Sequence, residues 1–190
     1  MIIRFAVAAL LVFSLTACAG SGNPTGGSVP TPVYVRNVCQ AMVQWNEDVG
    51  AAFQATEERP DTNSSAVIRT DMLDFFDDLQ DKTDAMRARV EKAARPDVPD
   101  GVGVARELRD ALTSASAELA ANRTDFAAIP LTDVQPAASI EGAMTVVGEQ
   151  LEAIHASVGA LDGRSPDLRR AREREPACKQ LQGQDWSLSS

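Results

Sequence analysis

The chain has one histidine, His155, three residues after Glu152. A Glu-x-x-His pair puts both side chains on adjacent turns of a helix. Di-iron helical bundles use that spacing twice, with two further glutamates. Here it occurs once, and Glu152 falls off the apolar stripe that His155 borders. The plainer reading is a histidine at the edge of a core, and haem ligation rests on the same single side chain. Four aspartates, Asp71, Asp74, Asp78 and Asp81, mark one face of a helix, with Asp77 and Asp84 at its flanks. Calcium needs a loop that wraps the ion, as the EF-hand does around its central glycine. A straight helix without glycine cannot wrap, so this face reads as solvated surface or as a face for a basic partner. Nucleophilic catalysis needs a base within reach of Ser, Cys or Lys. One histidine, no Gly-x-Ser-x-Gly and no phosphate-cradling glycine loop leave very little to build it from. Glycosidase-type carboxylate pairs stay open, since any two acids can meet in a fold. The expectation is a protein without enzymatic activity, metal or cofactor.

The most specific chemistry lies near the N-terminus. Residues 1–17 read as an export signal: Arg4 supplies the positive charge, and Phe5 to Leu15 is an apolar run of the right length. That run is too short to cross a bilayer, which takes about 20 apolar residues. Leu15-Thr16-Ala17-Cys18 comes next and resembles the bacterial lipobox at all four positions. The resemblance implies that the Cys18 thiol is diacylglycerylated and that cleavage leaves Cys18 as the new N-terminus. Two or three acyl chains anchor stably where one does not. An ordinary secretory signal cut after Ala17 is the alternative. Residues 18–32, rich in Gly, Ser, Pro and Thr, read as a flexible linker whose ends sit about 20 Å apart.

Two cysteines remain, Cys39 and Cys178. Outside the cytoplasm such a pair is most economically a disulfide. It would close a loop over most of the chain, and loop entropy puts its stabilisation at about 4–5 kcal/mol at best. Two buried thiols are the alternative. A metal pair is weaker still, with no His or further Cys near either one in sequence.

Charge narrows the partners. The whole chain carries −9, and Arg4 is the only charge in the leader, so the part from Cys18 onward is one unit more acidic. Phosphate backbones would be repelled, and so would anionic lipid headgroups. Nucleic acid is therefore not an expected partner. An acidic surface suits solubility or a basic partner.

The elements that must position these residues read as helices. Hydrophobic residues make up 44% but aromatics only 5%, and no alternating run of β-formers appears. Val35, Val38, Met42, Trp45, Val49 and Ala52 form one stripe, predicting a helix over 32–58 after Pro32. Ile68, Met72, Phe75, Phe76, Leu79, Met86 and Val90 form a second over 64–94, interrupted by Thr83 and preceded by residues suited to N-capping. A third runs from Val104 to Phe126 with Asn122 as its polar member, and stops at Pro130. Asn122 either fixes register or sits at the edge. Gln135-Pro136 opens a fourth through Ile140, Met144, Val147, Leu151, Ile154, Val158 and Leu161, ended by Gly163. Ser165-Pro166-Asp167 starts a short charged helix over 166–175, broken by Pro176.

Short turns between helices of similar length give antiparallel neighbours. The predicted fold is all-α: an up-and-down four-helix bundle over 33–182, with a short C-terminal helix pinned by the disulfide and a polar tail at 183–190. Val38-Cys39-Gln40-Ala41-Met42-Val43-Gln44-Trp45 and Pro176-Ala177-Cys178-Lys179-Gln180-Leu181 resemble the paired-cysteine regions of small helical lipoproteins and secreted proteins of high-GC Gram-positive bacteria. That likeness implies address and architecture and carries no activity. The expected function is a lipid-anchored interaction module on the extracytoplasmic side of the cell membrane, meeting an envelope protein or wall component through Asp71, Asp74, Asp78 and Asp81. The alternative is a carrier for a small apolar ligand, held between faces bearing Met42, Met72, Met86 and Met144, with haem or metal as a further variant. A carrier needs a cavity of a few hundred Å³.

Overall fold

A computed structural model describes residues 27–58, 64–130 and 136–182. The leader, the lipobox, most of the linker and the polar tail lie outside the described residues. The chain is an all-α bundle. Its long helices are α1 (Thr31–Glu57), α2 (Ser65–Lys92), α3 (Gly101–Ala128) and α4 (Pro136–Gly159). Three short ones come after them: α5 (Leu161–Arg164), α6 (Pro166–Arg174) and α7 (Pro176–Leu181). Cross-helix pairs show the up-and-down course. Trp45 of α1 reaches Thr83 of α2, while Phe53, two turns on, meets Phe75, which lies earlier in α2. Likewise Ser116 of α3 meets Asp84 of α2, and Arg123 meets Asp77.

Every apolar stripe read from the sequence faces the common core. Val35, Val38, Met42, Trp45 and Val49 are fully buried, as are Phe76, Leu79, Met86, Leu112, Leu119 and Val147. Area removed from water is the main force holding such helices together, about 25 cal/mol per Å². Aromatic edges tie the layers: Phe76 packs on Phe75 at 6.1 Å and on Phe126 at 5.8 Å between ring centres.

Thr83 interrupts the second stripe because it serves Trp45. The indole N–H donates to Thr83 Oγ1 at 3.3 Å, and the hydroxyl donates to the Leu79 carbonyl at 2.9 Å. A buried indole N–H without an acceptor would cost about 1–3 kcal/mol. Asn122 is half-buried, its amide donating to the Ala143 carbonyl of α4 at 3.3 Å.

Three local differences from the sequence reading have physical causes. First, Ser28–Val29 (β1), grouped by composition with the linker, pairs in parallel with Arg95–Pro96 (β2). The Asp97 N–H donates to the Val29 carbonyl at 2.9 Å, and Thr31 Oγ1 donates to the Asp97 carbonyl at 3.3 Å. The start of α1 is thereby sewn to the α2–α3 turn. That turn needs Gly101, where a Cβ would lie 2.1 Å from the Pro96 carbonyl oxygen. Second, α4 ends at Gly159, and Gly163 lies inside the extra turn α5. The run finally stops at Ser165, whose extended backbone lets its side chain accept from the Asp167 N–H at 3.1 Å and cap α6. Third, Pro176 both ends α6 and opens α7, with Glu175 as cap. Proline fits a first helical turn because its missing N–H has no intrahelical acceptor there.

The disulfide joins Cys39 of α1 to Cys178 of α7, with Cα atoms 5.1 Å apart and a sequence separation of 139. The element it pins is α7, beyond the charged helix α6.

Candidate functional site

Asp71, Asp74, Asp78 and Asp81 do line one flank of α2, but the face is less bare than its spelling. Asp78 is bonded to Lys82 one turn on. The flanking Asp77 holds Arg123 of α3 through two parallel hydrogen bonds, one of 2.9 Å. Those bonds raise the Arg123 pKa above its usual value. Asp84 accepts from Ser116 at 2.9 Å and from Arg87 at 3.0 Å. Asp74 and Asp81 stand exposed, and Asp71 is half-buried. Exposed ion pairs of this kind each contribute little to stability. Their larger effect is to thin the field that a basic partner would feel. The large exposed apolar residues among those described are Val67 and Val102, which sit near opposite ends of the bundle. A partner at the α2 flank would therefore be met by charge rather than by an apolar patch.

His155 packs against Trp45, ring centres 5.9 Å apart. Burial lowers its pKa below the ordinary 6.5. It lines an open hollow of about 120 Å³ with Met42, Val158, Gly159, Arg172, Leu181 and Gln182. Among the described residues, that lining has a guanidinium and no carboxylate. Glu152 is exposed and is not part of that lining. Among the described residues, no three of His, Cys, Asp and Glu converge as a metal site would require.

Met42, Met72 and Met86 are packed into the core and Met144 is half-buried beside it. The hollow at Met42 is smaller than the few hundred Å³ that a carrier needs. Tyr34, which the apolar stripes do not include, is fully buried near the root of α1, and its hydroxyl has no hydrogen-bond partner among the described residues. Burial pushes its pKa up to about 12, against the opposing pull of the Arg109 charge.

The hook α5–α7 carries the denser polar construction. Arg172, half-buried, donates to the carbonyls of Val158 and Gly159, both at 3.1 Å, and pairs with Asp162 at 3.2 Å. It thus caps the C-terminus of α4, where a cation is favoured by the helix dipole. Arg164 bridges Asp100 and Glu107 at 2.7 and 3.1 Å, tying α5 to the start of α3. Leu168 is the fully buried apolar anchor of α6. Arginine spacing in 164–174 signalled charge, but not that two of these residues are staples.

Two open grooves flank the hook. One, of about 590 Å³, lies between the root of α1 and α6, with Arg36, Asp97, Arg170 and Arg174 in its walls. The other, of about 550 Å³, lies between α1 and α7 and is lined by Gln40, Gln44, Glu47 and Gln180 among others. Among the described residues, no helix is long and apolar enough to cross a membrane. No family model matches the chain, and no curated protein or solved structure matches it.

Proposed function

We propose that this chain is a non-enzymatic interaction module, held by lipid on Cys18 at the extracytoplasmic side of the cell membrane. The observation that carries the address is the buried Cys39–Cys178 disulfide, a bond that persists in oxidising compartments and is rare in the cytosol. It agrees with the export leader and with Leu15-Thr16-Ala17-Cys18. The module reading draws on the burial of the apolar stripes in one core and on acidic side chains, Asp74 and Asp81, that lie exposed on the surface. The exposed carboxylates of Asp74 and Asp81 suit a basic segment of an envelope protein.

The test is expression of the full chain in a bacterium that lipidates its own lipoproteins, with mass analysis of the mature N-terminus. An acylated Cys18 is expected, with the protein in the detergent phase and Cys18→Ala unprocessed. A mature chain starting at an unmodified Cys18, or retaining its leader in the wild type, would sink the anchoring. Crosslinking in those membranes then tests the module. The expected product is a defined adduct lost on joint Asp74→Lys and Asp81→Lys substitution.

A further inference from the structure

We infer that the tethered module stands upright on an anionic bilayer, with the end that carries β1 and β2 against the headgroups and the opposite, acid-dense end projecting from them; the inference rests on the reading of Cys18 as the lipid-bearing anchor. The chain enters the bundle at the end where α2 turns into α3, because Ser28–Val29 is pinned to Arg95–Pro96. Gly27, the first described residue, follows Cys18 by nine positions. At about 3.3–3.6 Å per residue, that stretch reaches about 30 Å at most. Helix α1 alone, with 27 residues, is about 40 Å long. An inverted pose would lift the tethered end by about the length of the bundle, beyond that reach. Upright and flat poses remain.

Charge separates those two. Cross-helix bonds set Trp45, Thr83 and Ser116 at one level of the bundle, and the Asn122–Ala143 bond carries that level to near Gln150 in α4. On the tethered side of this level the described residues hold 13 cationic and 11 anionic side chains. On the far side they hold 3 cationic and 13 anionic ones. The acidity of the whole sequence is therefore concentrated in the far half, and the repulsion of anionic headgroups expected from net charge applies to that half. In the tethered half, exposed Lys92, Arg95, Arg106, Arg169, Arg174 and Lys179 have no ion pair among the described residues. Exposed Glu91, Asp97, Asp110 and Glu173 offset most of that charge. The tethered end thus needs no strong attraction; it is the end that an anionic surface does not repel. Each of the four long helices puts exposed acids in the far half, Glu47, Asp74, Glu118 and Glu149 among them. Lying flat on any side would bring some of them within a Debye length of the headgroups, about 8 Å at physiological salt. Standing upright keeps them clear, since the far half begins about 20 Å along α1 from its root. It also turns Asp74 and Asp81 outward, toward a basic partner.

The experiment seats the mature chain, with a histidine tag in place of Cys18, on vesicles that carry a little nickel-chelating lipid. One fluorophore is attached at Val102→Cys, at the tethered end, or at Val67→Cys, at the far end; both positions are exposed, and Cys39 and Cys178 are occupied by their disulfide. Energy transfer to a headgroup dye reports height above the bilayer. In vesicles rich in phosphatidylglycerol, transfer at least twofold more efficient from position 102 than from position 67 is expected. That contrast should narrow in phosphatidylcholine vesicles, in 1 M salt, and in the anionic vesicles when Asp74→Lys and Asp81→Lys are combined. Equal transfer from both positions in the anionic vesicles would overturn the upright pose. A contrast just as large in neutral vesicles at 1 M salt would overturn it as a pose set by charge. The chelator supplies the attachment, so a failed orientation is told apart from a failed lipidation, which mass analysis of the N-terminus reads.

Discussion

The interior shared by α1–α4 and the hook α5–α7 are held by different forces. The interior is almost purely apolar, with Trp45–Thr83 as a satisfied polar pair within it. The hook has two buried apolar anchors, Leu161 and Leu168, and relies besides on caps, the Arg172 staple and a covalent bond. Length explains the difference. Helices of 27 or 28 residues present enough apolar stripe to offset the cost of their own ordering. Helices of nine and six residues do not, since isolated helices below about 12–15 residues are marginal in water. Short elements therefore need specific bonds where long ones need only area.

The comparison can be broken most forcefully at Trp45. Truncation to Ala removes the largest fully buried side chain, while the Thr83 hydroxyl keeps its bond to the Leu79 carbonyl. A loss of about 3–5 kcal/mol is expected by urea unfolding. A loss below about 1 kcal/mol would show that the interior is not held by packing. Next comes the covalent bond. Joint Cys39→Ser and Cys178→Ser should cost about 2–4 kcal/mol. Hydrogen exchange should rise first in α6 and α7, with α2 and α3 keeping their protection. Uniform loss of protection would mean that the hook and the bundle open as one unit.

Smaller effects sharpen the contrast. Ser165→Ala removes the cap of α6 and should cost about 1 kcal/mol, read by thermal melting. Ala94, at the end of α2, has φ 62, a conformation that glycine adopts without strain. Ala94→Gly should stabilise the protein by up to about 1 kcal/mol; destabilisation would place another constraint on that turn.

His155 links the two regions, and its titration gives a pH test. Its folded pKa lies below the ordinary 6.5 because burial disfavours the charged form. The unfolded chain then binds the proton more readily, so stability rises with pH in this window. The contribution is complete above about 6.5 and is lost as pH falls through that value toward the lower folded pKa. Unfolding measured at successive pH values should show a slope in the wild type that His155→Gln lacks. Equal slopes would remove His155 as the cause.

Sequence alone determined the four long helices and their inward faces, because a three-four apolar spacing has one geometric solution on a helix. Cys39 and Cys178 were legible as a pair because they are the two cysteines that remain once Cys18 is set aside. The aspartate flank was legible as a face, but not its neutralisation by Lys82, Arg123 and Arg87, since cross-helix partners depend on how α2 and α3 are rotated. Thr83 read as a flaw until Trp45 stood opposite it. The β1–β2 pairing, the staple role of Arg172 and the grooves beside α6 and α7 carry no local signal. They arise where segments distant in the chain come together, and only the tertiary structure decides which polar groups meet there.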